Sequence, residues 1–231
     1  MNGRVWSAAL ALAAVLACAQ ARAVAGETSA GLTLNATVGA HSEGRGAQSL
    51  PVVPVPVFWI EHREGKVALY LEGVPPIGPV ALGGGDATKL SMLDGALRVD
   101  VAPRAWLGIG ETIFDQQTTY ANRETQSSRV VGARYEAGAI VWQAGSRRVD
   151  LQVDDSPTMR GRIVDAFPFG FSSTGGERAS LVDAKATWST TGPHRIFSAG
   201  LRWINYSAVF PNGATADENR LLTPFVGLAI R

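Results

Sequence analysis

Apolar and polar residues alternate with a period of two along most of the chain, which is the pattern of β-strands. The longest example runs from 129 to 154, where two alternating arms flank a turn at 143–146 that contains Gly145. One face of these arms carries the apolar residues Val131, Ala133, Tyr135, Ala137, Ala139, Val141, Val149, Leu151 and Val153. The other face carries charge of both signs, so the stretch predicts a long two-faced β-hairpin.

The length of these arms indicates a membrane barrel. Each arm has about ten residues, whereas strands of soluble domains have about five to six and tilted membrane-spanning strands about 9 to 11. Similar segments recur along the chain and give about ten strands. The links between them alternate between short (62–65, 103–104, 143–146, 191–194) and long (42–52, 73–89, 115–128, 155–179, 207–220). The pattern predicts an all-β fold, an antiparallel up-and-down transmembrane β-barrel of about ten strands.

Two segments disturb this regular pattern. The stretch 106–114 fits neither phase of the alternation throughout, which predicts a β-bulge or a glycine bend in the fifth strand. Pro54 and Pro56 predict an irregular or unpaired start of the second strand, because proline cannot donate a ladder hydrogen bond.

An even number of strands with short turns on one side and long loops on the other resembles the small bacterial outer-membrane β-barrel proteins. The resemblance implies an apolar band facing lipid, a polar interior, and termini on the periplasmic side. The polar loop followed by Pro54-Val55-Pro56-Val57 is similar to the MipA/OmpV-like barrels. The partners implied are outer-membrane lipid and the barrel-assembly machinery, to which such barrels commonly present a terminal aromatic residue. This chain ends in Ile230-Arg231 instead.

The first 25 residues have the features of a secretory signal peptide: Arg4, an apolar run at 5–17, and small residues before Gly26. We expect residues 1–25 to be cleaved and 26–231 to form one barrel domain. The segment Val15 to Cys18 also resembles a lipobox, which would make Cys18 a lipidated first residue. Cleavage after 25 lowers Lys+Arg from 21 to 19 against 20 Asp+Glu, a formal charge of −1. This near-neutral balance implies no nucleic-acid partner.

In a barrel, the charged faces of the strands point into the lumen together. We expect these groups to pair and to leave a mostly plugged interior, since ten strands enclose little space. The predicted lumen charge network consists of Glu72, Arg98, Asp100, Arg134, Glu136, Arg148, Asp150, Asp154, Asp183, Lys185 and Arg202. The interpretation is a structural or surface-interaction protein and not an enzyme.

Three other interpretations fit the same sequence. A soluble β-sandwich with one solvent-exposed polar face would show the same alternation. A narrow porin-like channel would have the same barrel fold. A barrel hydrolase of lipid or peptide needs a histidine near a carboxylate, for which His41 is the candidate. Asp154-Asp155 is similar to the carboxylate pair of the omptin proteases, but no Asp-x-His accompanies it.

The remaining features add one candidate contact and no cofactor. Phe167, Phe169 and Phe171 form an apolar cluster in the longest predicted loop. The cluster either packs onto the barrel mouth, extends a strand above the membrane, or contacts a surface or periplasmic partner. No spacing of metal ligands is visible, so we expect no metal and no cofactor.

Overall fold

The computed structural model describes residues 26–43, 46–76, 80–81, 85–170, 172–192, 194–210 and 215–231. The expected signal peptide and Cys18 lie outside these residues. The described residues form eleven β-strands: β1 Glu27–Glu43, β2 Gly46–Glu64, β3 Val67–Val74, β4 Val80–Ala81, β5 Ala87–Ala102, β6 Ala105–Thr119, β7 Thr125–Ala144, β8 Arg147–Ala166, β9 Ser172–Thr191, β10 Arg195–Val209 and β11 Thr215–Ile230. None of the described residues belongs to a helix that could cross a membrane.

Ten of these strands close into an antiparallel barrel, as the alternation predicted. Each strand pairs with its sequence neighbours, β1 pairs with β11, and β3 pairs with β5 to complete the ring. The two-residue strand β4 pairs only with one end of β5, where Val80 is opposite Thr88. The barrel has a turn end, with the short turns and the terminal residues Gly26 and Arg231, and an opposite loop end. Gly65 and Gly145 adopt positive φ angles of 59° and 57° in two-residue turns at the turn end.

The alternation separates an apolar outer face from a polar inner face. Leu97, Ile109 and Leu201 point outward and are 49%, 58% and 52% exposed. Arg134 and Asp94 point inward and are fully buried. Strands β7 and β8 form the predicted long hairpin, with the charged face inside.

The strands at the loop end are longer than predicted, so most of the expected long loops are wrong. β8 continues to Ala166 and β9 begins at Ser172, although 155–179 was expected to be one link. β6 and β7 likewise extend to Thr119 and from Thr125. Both faces of the β6 and β7 extensions are polar, so the contrast between apolar and polar positions disappears there while the backbone pairing continues. By the bounds of the described strands, only the link between β3 and β5 remains long.

The bulge expected at 106–114 is also wrong, because β6 pairs with β7 without any register shift. Gly110 nevertheless approaches β5 so closely that a Cβ there would lie 1.7 Å from the carbonyl oxygen of Gly95. The poor alternation therefore reflects a glycine at a close backbone approach. The second strand is longer than expected and pairs with β1 through both prolines, with one register shift between Thr37 and Gly39 of β1.

A bulge occurs instead in β8, between Ser156 and Met159. Ser156 and Met159 are both buried, with Pro157 and Thr158 exposed between them, so the inward phase changes from even to odd residues. Gly132 on β7 faces this bulge, and a Cβ there would lie 2.8 Å from the Cα of Met159. The bulge thus reverses which side chains of upper β8 point outward.

Candidate functional site: the charged lumen

The lumen at the turn end contains a cavity of about 330 Å³. Charged and aromatic side chains line it, among them Trp59, Arg98, Arg148 and Lys185. The turn residues Pro103 and Arg104 and the terminal residue Arg231 surround its mouth, so the cavity opens toward the turn end. An ion pair between Arg231 and Glu27 joins the two ends of the described chain beside it.

Above the cavity, Arg134 is held inside a cluster of carboxylates. Its guanidinium nitrogens lie 2.9 Å from Asp94, 2.7 Å from Asp154 and 3.6 Å from Glu136. The hydroxyl of Thr112 donates a hydrogen bond of 2.7 Å to the other oxygen of Asp94. A fully buried arginine with three acidic neighbours is stable only because its charge is compensated on several sides.

A second cluster joins opposite walls of the barrel. Lys185 on β9 donates to both carboxylate oxygens of Glu72 on β3, at 2.9 and 2.8 Å. These two strands are separated by four barrel strands on either side, so the contact spans the lumen. Arg202 contacts Glu72 at 2.8 Å and Asp183 at 2.5 Å, and the hydroxyl of Tyr70 donates to Glu72 at 2.6 Å.

Arg98 connects this network toward the turn end. Its nitrogens lie 2.5 Å from Glu136 and 2.8 Å from Glu61, and its guanidinium stacks 3.5 Å from the centroid of the Tyr70 ring. Arg63 extends the chain of ion pairs, with contacts of 3.2 Å to Glu61 and 2.7 Å to Asp100. The ion pairs therefore run continuously from Arg134 down to the turn end.

An apolar cluster fills the lumen between the ion pairs and the loop end. Its buried members are Met92, Phe114, Val130, Met159, Ala179, Leu181, Tyr206 and Ala208. The rings of Phe114 and Tyr206 stack with centroids 4.3 Å apart. Above them the amide of Asn219 on β11 donates to Gln116 on β6 at 3.5 Å, and these two strands also face each other across the barrel.

The structure places all eleven residues of the predicted lumen charge network on the inner face. Nine of them belong to the linked clusters just described, while Arg148 and Asp150 pair with each other at 2.9 Å. The sequence-based prediction missed Asp94, Glu61 and Arg63. Asp94 shares its phase with Arg98 and could have been found from the alternation, whereas the prolines of β2 obscured the phase of Glu61 and Arg63.

The candidates for hydrolytic chemistry are scattered. Asp154 lies inside the lumen and Asp155 is exposed on the outer face, so the two carboxylates of the omptin-like pair point to opposite sides of β8. His62 was expected in a turn, but it lies in β2 and its ring shares a 2.8 Å hydrogen bond with the hydroxyl of Thr28. His194 is exposed at the turn end. The side chain of His41 lies outside the described residues.

Two further expectations concern contacts and metals. Phe167 and Phe169 lie between β8 and β9 at the loop end, 41% and 89% exposed, while Phe171 lies outside the described residues. Within the described parts of the chain, no group of three or more His, Cys, Asp or Glu side chains could hold a metal ion.

The closed antiparallel ring, the apolar outer face and the charged interior define the fold of the bacterial outer-membrane β-barrel proteins. The chain is similar to the outer membrane protease OmpT from Escherichia coli, with a TM-score of 0.63 at 10% identity over 90% of this chain and 99% of that one. It is also similar to the translocator domain of the autotransporter NalP from Neisseria meningitidis, with a TM-score of 0.50 at 11% identity over 97% and 96%. No family model and no curated sequence matches the chain. The likeness to MipA/OmpV-like barrels stays a prediction.

Proposed function

We propose that this protein lies in the bacterial outer membrane as a barrel with a closed lumen, and that its role is structural or surface interaction. Export by a cleaved signal peptide is part of this proposal. The apolar outer face supports the location, because a barrel surface of this kind is stable against lipid and is costly in water. Trp142, Trp188 and Phe197 lie on that face toward the turn end, where aromatic side chains suit a membrane interface.

The contact between Glu72 and Lys185 is the main observation that supports a closed lumen. Because the two residues come from opposite walls, their bond crosses the lumen and obstructs the barrel axis at that height. The stacked rings of Phe114 and Tyr206 support the same conclusion, because they occupy the lumen in the apolar layer above. A solute would have to break buried ion pairs and then separate packed rings, and both steps are costly.

The same arrangement favours a role outside catalysis. Barrel hydrolases need a histidine beside a nucleophile or a carboxylate. Of the histidines whose side chains are described, His62 and His194 both lie at the turn end, away from the loop end that would meet external substrates. Phe169 projects from the loop end almost fully exposed, and such a residue suits contact with a partner.

The closed lumen predicts that the purified barrel, inserted into planar lipid bilayers, gives no discrete conductance steps. A general porin inserted into the same bilayers serves as the positive control, and insertion is checked by recovering the barrel from matched proteoliposomes as a heat-shifted gel band. Reproducible openings by the inserted wild-type barrel would contradict the closed lumen and would favour the narrow-channel alternative.

A further inference from the structure

Four arginines gather on the outer wall of the barrel near the loop end. Arg129 on β7, Arg160 and Arg162 on β8 and Arg178 on β9 are all exposed. Arg129 faces Arg162 in the β7–β8 ladder, and Arg160 faces Arg178 in the β8–β9 ladder. We call these four residues the outer arginine patch.

The bulge in β8 creates this patch. Below it, even-numbered residues such as Asp154 point into the lumen, and the same phase would bury Arg160 and Arg162 inside the barrel. The extra residue between Ser156 and Met159 turns both arginines outward and puts Met159 into the apolar cluster. The sequence-based prediction missed the patch because it treated this segment as a loop.

The charge of the patch is largely uncompensated. Arg129 pairs with Asp115 through contacts of 2.6 and 2.9 Å, and Arg162 donates a 3.3 Å hydrogen bond to the neutral hydroxyl of Thr174. Among the described residues, no carboxylate pairs with Arg160 or Arg178. Like charges directly opposite each other in a ladder repel, so this arrangement is costly unless an anion lies between them.

The position of the patch along the barrel axis indicates which kind of molecule carries that anion. On β7, Arg129 is the next outward residue toward the loop end after the apolar Val131. On β9, Arg178 lies four residues from Val182, with the outward Ser180 between them. The patch therefore lies at the outer edge of the apolar belt. Anionic headgroups of membrane lipids lie at this boundary, with their acyl chains against the belt.

We propose that the outer arginine patch binds the phosphate groups of the phosphorylated glycolipid that forms the outer leaflet of the outer membrane. The inference rests on the proposed membrane location. Facing side chains of paired strands stand about 4.5–5.5 Å apart at Cβ, and residues two apart on one strand about 7 Å, so neighbouring guanidinium groups can bind one phosphate together. Arginine suits this role because its planar fork binds phosphate oxygens in pairs. Gly176, which faces Arg162 on β9, leaves room beside that guanidinium.

The test measures the dissociation constant for purified lipopolysaccharide in mild detergent at fixed ionic strength. The variant combines Arg160→Gln, Arg162→Gln and Arg178→Gln, and we expect it to bind about a hundredfold more weakly, about fivefold per arginine. A matched control combines Arg104→Gln, Arg147→Gln and Arg195→Gln, three exposed arginines at the turn end, and should bind as the wild type does. A variant that binds within twofold of the wild type would overturn the proposal.

Two further probes identify the group that is bound. Chemically dephosphorylated lipopolysaccharide should bind the wild type far more weakly, and equal binding would show that phosphate is not recognised. Phosphatidylglycerol, with one phosphate per molecule, should compete poorly, and equally tight binding would overturn the assignment to a glycolipid. A heat-dependent gel shift of each variant confirms that its barrel is closed. A failed binding test with an intact, non-conducting barrel would remove the patch proposal and leave the proposed function in place.

Discussion

Replacing Arg134 with methionine should lower the free energy of unfolding by about 3–5 kcal/mol, the loss typical of a buried ion pair from which one partner is removed. The substitution keeps most of the side-chain volume and removes the charge. It leaves Asp94 and Asp154, at 2.9 and 2.7 Å from the lost guanidinium, without their buried cation. Urea titration of the protein refolded into lipid vesicles, followed by tryptophan fluorescence, gives the difference directly.

Arg220→Met is the matched control. Arg220 also contacts a carboxylate, Glu218, at 2.6 Å, but its side chain is 68% exposed. Exposed pairs contribute about 0–1 kcal/mol because water screens both charges, so we expect a loss below about 1 kcal/mol. If the two variants lost similar free energy, Arg134 would not hold the lumen together electrostatically.

The second large effect is expected from Gly110→Ala. An added Cβ would lie 1.7 Å from the carbonyl oxygen of Gly95 and 2.7 Å from the Cα of Ala96. Both are backbone atoms of β5, so no side chain can rotate away and the two strands must separate locally. We expect a loss of about 3 kcal/mol, at the upper end of overpacking in a close-packed interior.

Gly73→Ala provides the comparison for this prediction. Its added Cβ would meet only ordinary contacts, 3.6 Å from the side chain of Leu93 and from the carbonyl oxygen of Met92. The same urea titration should show a change within about 0.5 kcal/mol. A Gly110→Ala variant as stable as Gly73→Ala would mean that β5 and β6 do not approach as closely as described.

Alternation predicts the fold well wherever one strand face is apolar. The hairpin of β7 and β8 is clear from residues such as Tyr135 and Val153, because the outer face excludes polar groups. Toward the loop end that contrast is lost: Gln116 and Thr118 point inward while Gln117 and Thr119 point outward. A strand that is polar on both faces has the composition of a loop, so the sequence could not show that the sheet continues.

The sequence predicts which side chains point into the lumen, but it does not predict which of them contact each other. The phase of each strand places Glu72 and Lys185 on the inner face, but their contact depends on which strands oppose each other after the ring closes. The outer arginine patch was not predictable in this way, because one extra residue near Pro157 reverses the phase of upper β8. Pro157 was a signal for that bulge, since proline within a strand is confined to edges and bulges.

The most direct test of the membrane barrel is the gel mobility of the protein extracted in mild detergent from the outer-membrane fraction, compared before and after boiling. A closed barrel stays compact in detergent until it is heated. The protein should therefore appear in the outer-membrane fraction and migrate differently once boiled. Recovery as a soluble periplasmic protein without any heat-dependent shift would contradict the account, because the apolar outer face would then have to be covered by something other than lipid.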